Sequence, residues 1–321
     1  MKPQKLALSL VLVASLPAVA ESVAKEKKPP SPTGWCVATV DELKVTPKPA
    51  DRKKTLAQLG RGSVLATFEV NQKDGRSWTR VRAVDPAKLT PEMGWVDSSR
   101  VESLPLSQFP EDSELLKLLG GLYLEDFAAA NTSIARYLVG RAGGDPLLVC
   151  FLGSPILPTA RLQVFARVQG RLTLGPSLEV PFADLQAGIR HVEVRDLLGD
   201  GNDCLITHHF FSVGPEHQGV SLVVRRISSG GFKILWEAPI EVRNLGAYPP
   251  EILVLSPPEK NIGRSGTVTK GEVKFRMRGK VSEPVWKGRV EFYAVGREEP
   301  VESVPLEKVC AWDGSKFAPL Q

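Results

Sequence analysis

Short apolar bursts, alternating with polar residues and cut off by Gly- or Pro-containing turns, recur along most of this chain. A side-chain period of two is the mark of a strand with one face on a core. Between residues 34 and 104 the bursts are Trp35/Val37, Leu43/Val45, Val64/Ala66/Phe68, Trp78/Val81 and Trp95-Val96. Turns at Pro47-Lys48-Pro49, Gly60-Arg61-Gly62, Lys73-Asp74-Gly75 and Pro91–Gly94 separate them, which predicts a small antiparallel barrel. From 146 to 321 the pattern resumes in Leu147–Leu152, Leu162–Val168, Val220–Ile227, Phe232–Trp236, Gly271–Met277 and Arg289–Val295. Turns between these runs predict a larger β-rich domain, either a sandwich or a stack of propeller-like blades.

From Glu111 to Arg141, within a connector spanning residues 105–145, the alternation is lost. Leu115, Leu118, Leu119 and Leu122 share one helical face, and Phe127, Ala130, Ile134, Tyr137 and Leu138 share a second. The spacing predicts a short helical connector between the two β domains, interrupted at Gly120-Gly121. The expected fold class is therefore mainly β: barrel, connector, then the β-rich domain.

The amino terminus carries an address. Lys2 and Lys5 precede an apolar run, Leu6–Leu16, and Pro17-Ala18-Val19-Ala20 follows. This is the layout of a secretory signal peptide over residues 1–20, with cleavage after Ala20. As a helix the run reaches only about 16 Å, roughly half a bilayer core, so it does not span. No later stretch is long and apolar enough to do so either, and no membrane span is expected after cleavage. Residues 21–33 are charged and Pro-rich and read as a flexible linker. The expected location is outside the cytoplasm, periplasmic or extracellular.

Composition excludes several classes. With 42% hydrophobic and 24% charged residues the chain has enough apolar material for real cores, and it is not a disordered one. The net charge of +5 comes with neither a basic stripe nor a reading motif, so no nucleic-acid partner is expected.

Within the barrel segment, Leu43-Lys44-Val45 leads to Pro47, then comes Leu59-Gly60-x-Gly62-x-Val64. Gly75-x-x-Trp78-x-x-Val81 and Gly94-Trp95-Val96 follow, ahead of Val101. In these motifs residues 34–104 resemble the bacterial SH3-like (SH3b) family. The resemblance implies a binding module, with Trp78 and Trp95 as candidate ligand-binding residues for a peptide or cell-wall glycopeptide. Residues Asp85–Met93 form an added loop beside that groove. Filling the barrel core is the competing role for both indoles.

Residues 192–206, Val-Glu-Val-Arg-Asp196-Leu-Leu-Gly199-Asp200-Gly201-Asn202-Asp203-Cys204-Leu-Ile, resemble a single FG-GAP/VCBS-type loop, as in integrin-like propellers. The intact family motif holds Ca²⁺ with spaced carboxylates. Asp196 and Asp200 match two of these, Leu198 and Cys204 replace two others, and Asp203 is one place out of register. A hard cation takes about six or more oxygens, so Asp196, Asp200 and Asp203 are weak candidates and no metal is expected.

Four cysteines without a C-x-x-C are too few for a disulfide scaffold, and export permits pairing. Cys150 and Cys310 are the favoured disulfide pair, with buried free thiols as the alternative. His208 and His209 are neighbours on a strand-like run, so their side chains should face opposite ways. No nucleophile elbow, zinc helix or phosphate loop occurs, and neither enzymatic activity nor a cofactor is expected.

The sequence thus points to an exported, non-enzymatic binding or scaffold protein of the bacterial envelope, with peptidoglycan or an envelope protein as partner. The alternatives are a cell-wall hydrolase with a scattered site around His208, His209 and Asp200, and a calcium-dependent adhesin.

Overall fold

Residues 34–104 form seven strands, but only Leu43, Val45, Val81 and Val96 of the expected bursts face the shared interior, whereas Trp35, Val37, Val64, Ala66 and Phe68 turn to a second core beneath the helix that follows. The strands are β1 (Gly34–Ala38), β2 (Leu43–Val45), β3 (Ala57–Leu59), β4 (Ser63–Lys73), β5 (Arg76–Asp85), β6 (Thr90–Asp97) and β7 (Val101–Leu104). β1 lies antiparallel between β4 and β7, β4 also pairs with β5, and β5 pairs with β6. β2 and β3 form a separate ribbon, tied to β6 by a Thr46–Trp95 bridge. A 3-10 turn at Ser98–Arg100, capped by the Asp97 carboxylate, joins β6 to β7. Cys36, Ala38, Leu43, Val45, Leu59, Leu65, Val81 and Val96 fill the interior.

The protein is described from a computed structural model covering residues 31–51, 53–105, 107, 109–127, 132–153, 159–181, 188–212, 217–228, 230–244, 266–293 and 299–320. The expected signal peptide and nearly all of the expected linker lie outside these residues. Among them the molecule is mainly β, with a single α-helix, α1 (Asp112–Phe127).

The helical expectation for 105–145 holds only as far as Phe127. Ser133–Val139 is a strand, β8, followed by β9 (Leu147–Gly153), β10 (Thr159–Val168) and β11 (Arg171–Pro181). The cause of the difference is burial on two faces. Ile134 packs with α1 and the first strands, whereas Ala135, Tyr137 and Val139 pack into a separate core on the other side. A strand apolar on both sides has no period of two to read. β9, buried at every position, is the extreme case.

β8 also pairs with β4, Ser63 opposite Tyr137 and Val64 opposite Arg136. One nine-stranded sheet therefore runs from β11 through β8 into the first strands, across the boundary expected between two domains. Pro32–Gln321 clusters as one unit.

The second sheet has eight antiparallel strands in sequence order. They are β12 (Ile189–Arg195), β13 (Cys204–Ser212), β14 (His217–Ser228), β15 (Gly231–Asn244), β16 (Gly266–Arg278), β17 (Val281–Tyr293), β18 (Glu302–Trp312) and β19 (Phe317–Pro319). Val192, Val194 and Leu205 pack against Val149, Phe151 and Leu162 of the first sheet. Their neighbours Cys204, Ile206, Leu222 and Val224 turn the other way, toward Trp236, Trp286, Cys310 and Phe317. On the far face of the first sheet, Leu115 and Leu119 of α1 cover Val64, Leu148, Cys150 and Phe165.

Candidate functional site

Alternate residues of β5 divide cleanly. Thr79, Val81, Ala83 and Asp85 are buried, while Trp78, Arg80, Arg82 and Val84 are half-buried on the other face. β6 divides likewise, with Gly94 and Val96 inside and Trp95 and Asp97 outside. Trp78 stands opposite Asp97, and Arg80 stands opposite Trp95. The two indoles are therefore diagonal neighbours on one outer face, a relationship that puts the two positions about 7–8 Å apart. Neither belongs to a hydrophobic core cluster. The Trp78 indole N–H is shut off from solvent and has no hydrogen-bond partner among the described residues.

Charged pairs frame the two rings. Arg80 meets Glu69 of β4 at 2.9 Å, and Arg76 meets Asp97 at 3.7 Å. Slight burial pushes the Asp97 carboxyl up, but Ser99 donates to it from both hydroxyl and backbone and Arg76 and Arg100 lie near. The net result is a carboxyl held below its usual range. Gly94 makes the placement of Trp95 feasible: a Cβ there would lie 2.5 Å from Val45 Cγ1 and 2.8 Å from the Thr46 carbonyl oxygen. Only without a side chain can β6 approach β2 closely enough for Trp95 and Thr46 to exchange backbone hydrogen bonds, at 2.8 and 2.9 Å.

Of the added loop, Pro91 and Met93 share the outer face with Trp95, while the rest turns away from it. Pairing continues through Asp85 and Thr90, leaving a tight turn in which Asp85 accepts from the Ala87 amide. Leu89, 2% exposed, plugs the core shared with Phe151 and Leu162. The segment is an anchor onto the rest of the nine-stranded sheet.

The acidic loop uses its carboxylates internally. Asp196 accepts from the amides of Gly199 and Gly201, both at 2.8 Å. Asp200 accepts from the Asn202 amide and pairs with Arg226 at 2.7 Å, which outweighs its slight burial and keeps its pKa low. Asp203 accepts from the Gly140 amide at 2.6 Å, and burial pushes its pKa up. Among the described residues no group of three or more His, Cys, Asp and Glu could hold a metal ion.

The expected Cys150–Cys310 disulfide is corrected: all four cysteines are free and buried. Cys150 lies in the core beneath α1 and Cys310 in the core between strands of the second sheet, so the two thiols belong to different interiors. Both cysteines lie on strands, as their apolar runs imply, but the sequence holds no signal for which core each strand faces.

His208 and His209 do face opposite ways. His208 lies beside His191 of β12, ring centroids 5.2 Å apart and planes tilted by 53°, and His209 Nε2 lies 3.0 Å from a guanidinium nitrogen of Arg225. Asp200 is bound to Arg226 instead of either histidine. Two groups that the sequence reading missed are Trp35 and Arg136, which meet at the junction of β1, β4 and β8 with the ring centroid 5.0 Å from the guanidinium carbon. Their meeting depends on the β4–β8 pairing, for which the sequence carries no local signal.

No family model, curated protein or solved structure matches the chain. Among the described residues no helix is long and apolar enough to cross a membrane.

Proposed function

We propose that this chain is an exported, non-enzymatic binding or scaffold protein of the bacterial envelope, in which residues 34–104 form an SH3-like module. The observation that carries the reading is the placement of Trp78 and Trp95 side by side on an outer sheet face, outside every core cluster. Aromatic rings suit the apolar faces of a peptide or a cell-wall glycopeptide. The module reading draws on the strand order β7-β1-β4-β5-β6, the β2–β3 ribbon and the 3-10 turn before β7. Export draws on the charged start, apolar run and Ala18-Val19-Ala20 ending of residues 1–20.

A hydrolytic site built from His208, His209 and Asp200 has no such support, because the three groups point to different partners. A calcium-held adhesive loop is weaker still, with the Asp196 oxygens taken by two backbone amides.

The test is co-sedimentation of the purified chain with isolated sacculi, beside Trp78→Ala and Trp95→Ala variants. Sedimentation that either substitution abolishes supports the aromatic face. Absence of sedimentation, or binding indifferent to both substitutions, overturns it.

A further inference from the structure

The outer face of β5 continues past the indoles to Arg82, four residues from Trp78 and so about 13 Å along the strand. There the sheet register builds a pocket. Trp35 of β1 is opposite Ala66 of β4, and Ala66 is opposite Arg82. In the next row Val37 is opposite Val64, and Val64 is opposite Arg136 of β8. Small Ala66, flanked by two long side chains, leaves a cavity of about 90 Å³ lined by Trp35, Arg82, Asp112, Ser133 and Arg136 among others.

Among the described lining residues two arginines share one carboxylate. Arg136 is 5% exposed and one of its nitrogens donates to both the Pro110 carbonyl, at 3.4 Å, and Asp112, the first residue of α1, whose other oxygen lies 3.7 Å from Arg82. The buried Nε–H of Arg136 and the buried indole N–H of Trp35, a residue 3% exposed, have no hydrogen-bond partner among the described residues. Both of these atoms are closed off from solvent, so the donor that meets an incoming acceptor is the Arg82 guanidinium, 34% exposed at the rim. Among the described lining residues, two guanidinium groups against a single carboxylate leave one positive charge, which a monoanion balances. The Asp112 side chain, 44% exposed, sits at the rim and already shows the chemistry that the arginines accept.

We propose that this pocket is a carboxylate-binding subsite for the free C-terminal carboxylate of a short peptide. The chain preceding that carboxylate would run along β5 toward Trp78 and Trp95, and for this direction the proposal rests on the reading of the aromatic face. Asp112 acts as an internal competitor that holds the arginines in place until a ligand carboxylate enters.

The experiment is calorimetric titration of the purified full chain with acetyl-alanyl-alanine. Its C-terminal amide, sodium acetate and inorganic phosphate run as parallel probes. The free acid binds in the millimolar range or tighter and more strongly than acetate, while the amide and phosphate do not bind. Arg82→Gln weakens the free acid about tenfold, the loss of one charge-assisted contact at a partly exposed site. Asp112→Asn strengthens it about two- to fivefold by removing the competing carboxylate. Melting curves within a few degrees of the parent show that both variants fold. Equal binding of acid and amide, acetate matching the peptide, preference for phosphate, no binding, or affinities unmoved by both variants would each overturn the subsite. Because the probe is soluble, the two readings fail separately. Trp95-dependent sedimentation without dipeptide binding removes only the subsite, and dipeptide binding without sedimentation removes only the sacculus.

Discussion

Arg225 donates to Nε2 of His209 at 3.0 Å, and the same guanidinium nitrogen lies 2.8 Å from the Thr207 hydroxyl, with Arg225 only 6% exposed. A guanidinium has no lone pair to offer, so His209 must be the acceptor and is neutral, with its proton on Nδ1. Burial, then the Arg225 charge, then His208 push the His209 pKa down to about 3, and burial with His191 pushes His208 down to about 4.

A pH dependence with a definite sign follows from that arrangement. For a histidine with a folded pKa below its unfolded value of about 6.5, the unfolded chain binds the extra proton between the two values. Stability is therefore full above about pH 6.5 and falls as the pH drops toward 4 and 3. At pH 5 the loss is up to about 2 kcal/mol for each such histidine. Thermal melts at pH 7.5, 6 and 5 (round values spanning the window of about 5 to 7.5) should show a declining midpoint, and His209→Gln should flatten the decline. A midpoint constant across this range would show that neither imidazole is held neutral by the fold.

Gly60 provides a mechanical prediction. A Cβ at this position would lie 2.3 Å from the carbonyl oxygen of Val192, and the next residue's carbonyl accepts from the Val194 amide at 2.9 Å. The turn thus rests directly on β12 of the second sheet. Gly60→Ala should cost about 1–3 kcal/mol through forced displacement of that strand. Urea unfolding is the measurement, and a variant as stable as the parent would mean that the two surfaces are not in contact in solution.

The thiols separate the two cysteine readings. Burial pushes Cys36 and Cys150 up to about 12 and Cys204 up to about 11, and a thiol rather than a thiolate is a poor nucleophile. An aromatic disulfide reagent should label the native chain hardly at all, then titrate all four cysteines once the chain is unfolded without reductant. Two reactive thiols in the unfolded chain would restore a disulfide.

Strand content was legible where polarity follows the pleat: in β5, Arg80-Val81-Arg82-Ala83 alternates in sequence and in burial alike. The segment 133–139 was not, because both of its faces are buried and Ile134, Tyr137 and Leu138 happen to fall at helical spacing. The glycines at 60, 75 and 94 announced turns and close approach, but not that Gly60 would meet the second sheet. Trp78 and Trp95 could be named from their motifs. Whether they faced inward depended on register, which a one-residue slip would reverse. Trp35 and Arg136 come together from positions about a hundred residues apart through strand pairing alone, and long-range pairing leaves no local trace.

The two tryptophans of the outer face should behave unlike Trp286, and the contrast tests their placement. Trp286 is 1% exposed, donates its indole N–H to the Pro239 carbonyl at 2.6 Å and lies against Gly271 and Gly288, where any Cβ would strike its ring. Replacing it by Ala removes a large buried ring and its hydrogen bond, a loss of about 3–5 kcal/mol. Trp95, half-buried and outside the cores, should lose only about 1 kcal/mol on the same change, since little volume is left unfilled. Melting of the two variants side by side reads the difference. If Trp95→Ala melted as early as Trp286→Ala, Trp95 would be a core residue and the sedimentation result could not be assigned to a lost contact with ligand.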